Sequence, residues 1–178
     1  MDTRNTILVP VDFRVASLNT LRLAMESAPE THMSVLLCYC ECMTDSITEL
    51  LFYSPSRRVN ELMTDDFKEA LAILRNRFEK KLGDVTIDLF HGRNQNAFNA
   101  FLSGRQVGQI YIPKSYKLHC KNGAFDPIPY IKKSRVPFHE VDWMNEQRTV
   151  ETDQLESLFI NFSEWEKQPH FRLRHQAE

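Results

Sequence analysis

Three short stretches carry side chains whose types and spacing could do chemistry. In "TILVPVDF" (6–13), Asp12 follows an apolar run and so lands at the end of a strand. A carboxylate there can accept a hydrogen bond from a ligand hydroxyl or orient a metal-bound water. It can equally cap the helix that follows, accepting from free N–H groups of the first turn. In "QIYIPKSYK" (109–117), Lys114, Ser115, Tyr116 and Lys117 stand just past a second apolar run. Bare glycines at such a bend would let backbone N–H groups converge on a phosphate; lysines restrict φ and lay their stems across the opening instead. Six basic residues lie between Lys114 and Arg135, opposed only by Asp126. That surplus could hold an anion by side-chain charge, as lysine does at other phosphate sites, or form an ordinary solvated surface.

The third stretch is "CYCEC", which places Cys38, Cys40 and Cys42 at spacings of two. On a strand the three sulfurs share one face. Zinc usually draws on paired cysteines from separated segments, and no second cluster with fitting spacing exists, so buried apolar thiols are expected and no metal site is assigned. Catalysis has little support. His32, His91 and His119 fall in or beside loops, and neither the nucleophile-elbow motif nor the phosphate-loop lysine motif occurs. No catalytic residue is assigned.

The elements that must position these groups alternate. Buried strands are read at 6–13, 33–41, 85–92, 109–112 and 136–141. Helices are read at 15–28, as one long element at 59–82 ended by Gly83, and at 94–104 ended by Gly104. The stretch 44–58 is a short helix ("SITELLFY") before a turn at "SPSRR", and Pro127 and Pro129 allow only a short helix before the last strand. Alternation of this kind predicts a parallel sheet with helices on both faces, whose ligands bind beyond the carboxyl ends of the strands where strand order reverses.

After about residue 142 the alternation stops. The extension 143–178 places Leu155, Leu158, Phe159, Phe162 and Trp165 on one helical face, with Asp153 and Glu156 as a capping pair. That stripe needs cover from its own domain, a symmetry mate or another partner. The extension carries a net charge of −3, leaving +1 on the rest. Neither half attracts nucleic acid or a membrane surface in general. With no basic-then-apolar leader and no apolar run of about 18 residues, the sequence predicts a soluble, cytoplasmic protein.

Taken in order, these motifs resemble the universal stress protein family. "TILVPVDF" with "SVLLCYCE" is similar to the family's opening strand–helix–strand, "HGRNQNAFNAF" to its third unit, "QIYIPKS" to its fourth strand and "KKSRVPFHEV" to its close. The resemblance spans residues 5 to about 142 and implies a Rossmann-like, open five-stranded parallel sheet of order 3-2-1-4-5, often dimerised through the last strand. It also implies an ATP site at the ends of strands one and four, with Asp12 and Tyr39 at positions that address adenosine. The phosphate loop departs from the family pattern. Lys114 and Lys117 replace its two early glycines around Ser115, Gly123 stands one place from its late glycine, and Arg14 replaces a serine.

The expectation is therefore a non-catalytic protein of universal-stress type, a homodimer acting through protein contact, with ATP binding lost and no cofactor. One alternative is a binder of AMP, ATP or another anion through Asp12, Tyr39, Lys114, Ser115, Lys117 and Gly123. A third is a hydrolase acting on an adenine nucleotide.

Overall fold

The computed structural model describes residues 6–28, 32–43, 46–121 and 123–143, with Glu49 described in its backbone alone. The expected helix with the Leu155–Trp165 stripe lies outside the described residues. Eleven named elements follow in order: β1 (Thr6–Pro10), α1 (Asn19–Ser27), β2 (Met33–Cys40), α2 (Ile47–Leu51), α3 (Pro55–Leu62), α4 (Asp65–Arg77), β3 (Leu82–Phe90), α5 (Gln95–Gly104), β4 (Val107–Pro113), α6 (Ile128–Lys132) and β5 (Phe138–Val141). A 3-10 turn, Val15–Leu18, leads into α1.

The five strands form one sheet in the order β3-β2-β1-β4-β5, every pairing parallel. The order reverses once, between β1 and β4. Because parallel crossovers are right-handed, connections running one way along the sheet lie on one face and those running back lie on the other. α1 and α4 thus cover one face, and α5 and α6 the opposite one. Period-two alternation sends Leu8, Leu36, Cys38, Cys40, Ile110 and Ile112 toward Phe98 and Leu102 of α5 and Ile131 of α6. Phe98 and Ile131 are fully buried there; Phe67 and Leu74 of α4 are fully buried on the other face. Each such side chain contributes about 1.5–3 kcal/mol through the apolar area it removes from water.

Several boundaries differ from the sequence reading. The helix expected over 59–82 is two helices. Met63 is extended (φ −80, ψ 107), and Thr64 then caps α4 by accepting from the Phe67 amide at 3.2 Å. Asp65 and Asp66 follow in the first turn, where negative charge suits the helix dipole. The stretch "SPSRR", expected to turn, starts α3, with Ser54 accepting from the Arg57 amide and Pro55 in the first turn. Gly83, expected to stop a helix, sits inside β3. β1 ends at Pro10, so Asp12 and Phe13 belong to the connection and not to the strand. β2 likewise ends at Cys40, which leaves Cys42 exposed instead of on the buried face with Cys38 and Cys40.

Candidate functional site

The crevice that strand order predicts lies beyond the carboxyl ends of β1 and β4, and the chain itself runs across it. From β4, residues 114–121 pass over the end of β1 and reach the end of β2. There Glu41 and Ala124 form an antiparallel bridge. The Cys42 amide donates to the Gly123 carbonyl at 2.8 Å, and the Phe125 amide to that of Cys40 at 2.9 Å. Gly123 takes a φ of +87, which only glycine adopts at no steric cost, so its role is to turn the crossing segment onto β2. Phe125 then packs near Phe90 and Tyr130, and α6 begins.

This crossing engages one oxygen of Asp12. Its Oδ2 accepts from the Tyr116 hydroxyl at 2.6 Å and from the His119 amide at 2.8 Å, while Oδ1 accepts from the Arg14 amide at 3.1 Å. The Asp12 amide in turn donates to Ser17 Oγ at 3.4 Å, the hydroxyl that itself donates to the Arg14 carbonyl. The carboxylate thus turns the chain locally through Arg14 and holds a loop more than a hundred residues away. The 3-10 turn starts with Arg14 at its N-cap and no side-chain cap, so Asp12 does not cap a helix.

Tyr116 is held on its other side. Its ring stacks on Trp143, centroids 4.4 Å apart and planes 20° from parallel. Lys114 points away from the crevice to Asp142 (Nζ–Oδ2 3.0 Å), and its amide donates to the Val141 carbonyl at 2.9 Å. The Asp142 partnership holds the Lys114 ammonium above its ordinary pKa. Ser115 and Lys117 are exposed. The basic run is also divided: Lys132, at the end of α6, pairs with Glu140 of β5 at 2.7 Å.

Tyr39 is buried in β2, on the face opposite Cys38 and Cys40, and its ring lies 5.1 Å from that of Phe13. Burial, then the charge of Glu41, raises its phenol above the ordinary value of 10.0. Phe13 has φ 60 and a side chain packed between Tyr39 and Phe67. A left-handed backbone costs a bulky residue roughly 1–2 kcal/mol, which this packing must offset. Of the six sequence candidates, the structure joins Asp12 to the crossing loop and Gly123 to β2. Tyr39 enters a buried aromatic cluster, and Lys114, Ser115 and Lys117 face outward.

A second polar group lies at the ends of β2 and β3. Glu41, 5% exposed, is gripped by Arg58 of α3: Nε lies 3.2 and 3.1 Å from its two oxygens and Nη2 2.9 Å from Oε2. This pairing raises the Arg58 guanidinium further, hydrogen bonding to Glu41 outweighing burial. His91 Nδ1 lies 3.2 Å from the Glu41 carbonyl oxygen, which can only accept. For a neutral ring Nδ1 therefore carries the hydrogen and Nε2 accepts from the Tyr53 hydroxyl at 2.6 Å. Burial raises the Tyr53 phenol, and Glu41 adds to the rise. These contacts tie α3, through Arg58, and Tyr53 beyond α2 to the ends of β2 and β3, and Arg58 Nη1 also reaches Glu61 at 3.5 Å, so the group tethers the α2–α3 excursion.

Sequence reasoning noted Tyr116 and His119 without giving them a place in the site, and missed Trp143 and the Glu41–Arg58 pair. Only Tyr116 carried a signal, an aromatic residue directly beside the candidate lysines. The sulfurs of Cys38 and Cys40 are 3.8 Å apart in the core, and their mutual contact, then burial, pushes the Cys40 thiol far up. Among the described residues no group of three or more His, Cys, Asp or Glu could hold a metal ion. Among them, too, no helix is long and apolar enough to cross a membrane.

No protein-family model and no curated protein matches the chain. Solved structures do. The universal stress protein UspA from Lactobacillus plantarum superposes with a TM-score of 0.50 at 11% identity, covering 76% of this chain and 96% of that one. A universal stress protein family member from Burkholderia pseudomallei gives 0.43 at 14%, covering 78% and 96%. A family protein from Arabidopsis thaliana with AMP bound gives 0.46 at 8%, covering 82% and 96%. The five-stranded order and the first of these likenesses define the class: this chain has the fold of the universal stress proteins.

Proposed function

We propose that this chain is a divergent universal stress protein that binds no nucleotide, performs no catalysis and acts through protein contact as a cytoplasmic homodimer. The observation that carries the reading is the engagement of Asp12 Oδ2 by the crossing loop. The carboxylate that would meet an adenosine hydroxyl already accepts from the Tyr116 hydroxyl and the His119 amide, and the segment supplying them lies across the crevice. A ligand would have to replace both charge-assisted bonds, each worth about 1.5–3 kcal/mol. The lysines that stand where glycines would cradle a phosphate point outward, one of them paired with Asp142. For self-association the support is β5, an edge strand of four residues that pairs with β4 and leaves Phe138 36% exposed.

Thermal melts with ATP, ADP or AMP and magnesium test the first part. A ligand at about 100 times its dissociation constant stabilises by about 2.7 kcal/mol. The reading predicts no shift; a concentration-dependent rise for any of the three would overturn it. Light scattering tests the second, with Phe138→Glu expected to convert dimer to monomer; a monomeric parent protein would refute self-association.

A further inference from the structure

We infer that Tyr116 is the bolt of a latch coupling the Asp12 site to the end of β5, so that opening one releases the other. The residue is gripped from two directions by parts of the chain remote in sequence. Its hydroxyl is on Asp12, 104 positions away, and its ring face is on Trp143, directly beyond β5. The loop stem is fixed to the same strand end: the Lys114 amide donates to the Val141 carbonyl and its ammonium pairs with Asp142. Asp12 and Trp143 therefore hold one element from two sides, and the inferred coupling is that this element leaves both together.

The closed position is imperfectly satisfied. His119 Nε2 and Trp143 Nε1 are both buried without a hydrogen-bond partner among the described residues. Each such atom opposes closure by the water contact it gives up. The short, charge-assisted bond from Tyr116 to Asp12 holds the loop down against them. Opening would hydrate both ring nitrogens, free Asp12 and unstack Trp143 in one movement. The inference deepens the closed-site reading above, since it states what keeps the site closed.

The test reads one end of the latch while perturbing the other. Trp143 and Trp165 are the two tryptophans of the chain, so a Trp165→Phe background makes Trp143 the sole reporter. Asp12→Asn is the perturbation. An amide leaves two choices: its oxygen stays on Tyr116 and His119, with the charge lost and its amino group against the Arg14 amide, or its amino group turns against the His119 amide. Both weaken the bonds that hold the loop. Acrylamide quenching of Trp143 is expected to rise at least about threefold in Asp12→Asn, although residue 12 does not touch the indole. Reciprocally, Trp143→Ala is expected to speed exchange of the His119 amide at least about tenfold. Amide exchange in β1 and β2 should stay at the parent rate in both. Unchanged quenching together with unchanged His119 exchange would overturn the latch. If Asp12→Asn does not fold, Tyr116→Phe removes the hydroxyl and keeps the ring; parent-level quenching in that variant would equally overturn it. Failure here leaves the nucleotide reading standing, because that reading is decided by ligand binding and not by coupling.

Discussion

Arg58→Met is the substitution whose effect follows most directly from the geometry. It removes the guanidinium from a carboxylate whose side chain is 6% exposed and keeps most of the aliphatic stem, so lost packing contributes little. Stripping the partner from a buried ion pair costs about 3–5 kcal/mol. The Arg58 side chain is 31% exposed, however, and water on that side screens the pair and can partly replace it. Discounting for this leaves about 2–3 kcal/mol, a large share of the roughly 5–15 kcal/mol that holds a domain together. At about 2–4 °C per kcal/mol for a chain of this size, the melting temperature should fall by about 4–12 °C. Urea unfolding with a double-mutant cycle is the assay. Glu41→Gln removes the charge that Arg58→Met strands, so the double variant should recover at least about 1 kcal/mol relative to the sum of the singles. Additive singles, or an Arg58→Met protein within about 0.5 kcal/mol of its parent, would refute the reasoning.

Three further outcomes are expected. Tyr39, Tyr53 and Tyr111 all have phenols raised by burial, so below pH 10.0 they are neutral folded or unfolded and add no pH dependence; above it the unfolded chain ionises first and stability falls. Urea midpoints measured from neutral to strongly alkaline pH should fall past that point, less steeply in Tyr39→Phe, and a flat profile would contradict the shifts. Timed alkylation with peptide mapping should label exposed Cys42 before Cys120, whose thiol is raised by burial and then by Asp126 and Asp12, and should reach Cys38 and Cys40 only on unfolding. Labelling of Cys120 ahead of Cys42 would count against this. Phe13→Gly relieves a left-handed backbone worth roughly 1–2 kcal/mol but loses a ring buried between Tyr39 and Phe67, where removal costs about 3–5 kcal/mol. The net should be a loss of about 1–4 kcal/mol by denaturant unfolding, and a stabilised variant would mean the packing was overvalued.

The sheet was legible because burial on both faces writes itself into a parallel strand as an uninterrupted apolar run, and the crossover rule then leaves few ways to order five of them. The break at Met63–Thr64 was not legible from apolar spacing, since Val59, Met63, Phe67 and Leu71 keep a helical rhythm across it. The signal lay in Thr64 followed by two aspartates, a start pattern outweighed by that periodicity. Asp12 was recognised as a site residue from its place after the first strand, but its partners are Tyr116 and His119, whose approach depends on a loop path that no local spacing encodes. The same holds for Lys114: its identity suggested an anion, and its direction, toward Asp142, came only with the fold. Glu41 and Arg58 carry no periodic signature, because a buried ion pair between a strand end and a helix is a purely tertiary fact.

The chain's own loop crosses the crevice over Asp12, and the proposed function holds that no nucleotide displaces it. Releasing bound small molecules from the freshly purified protein by heat and weighing them by mass spectrometry tests it most directly. No adenine nucleotide above trace is expected; AMP, ADP or ATP recovered at close to one per chain would overturn the proposed function.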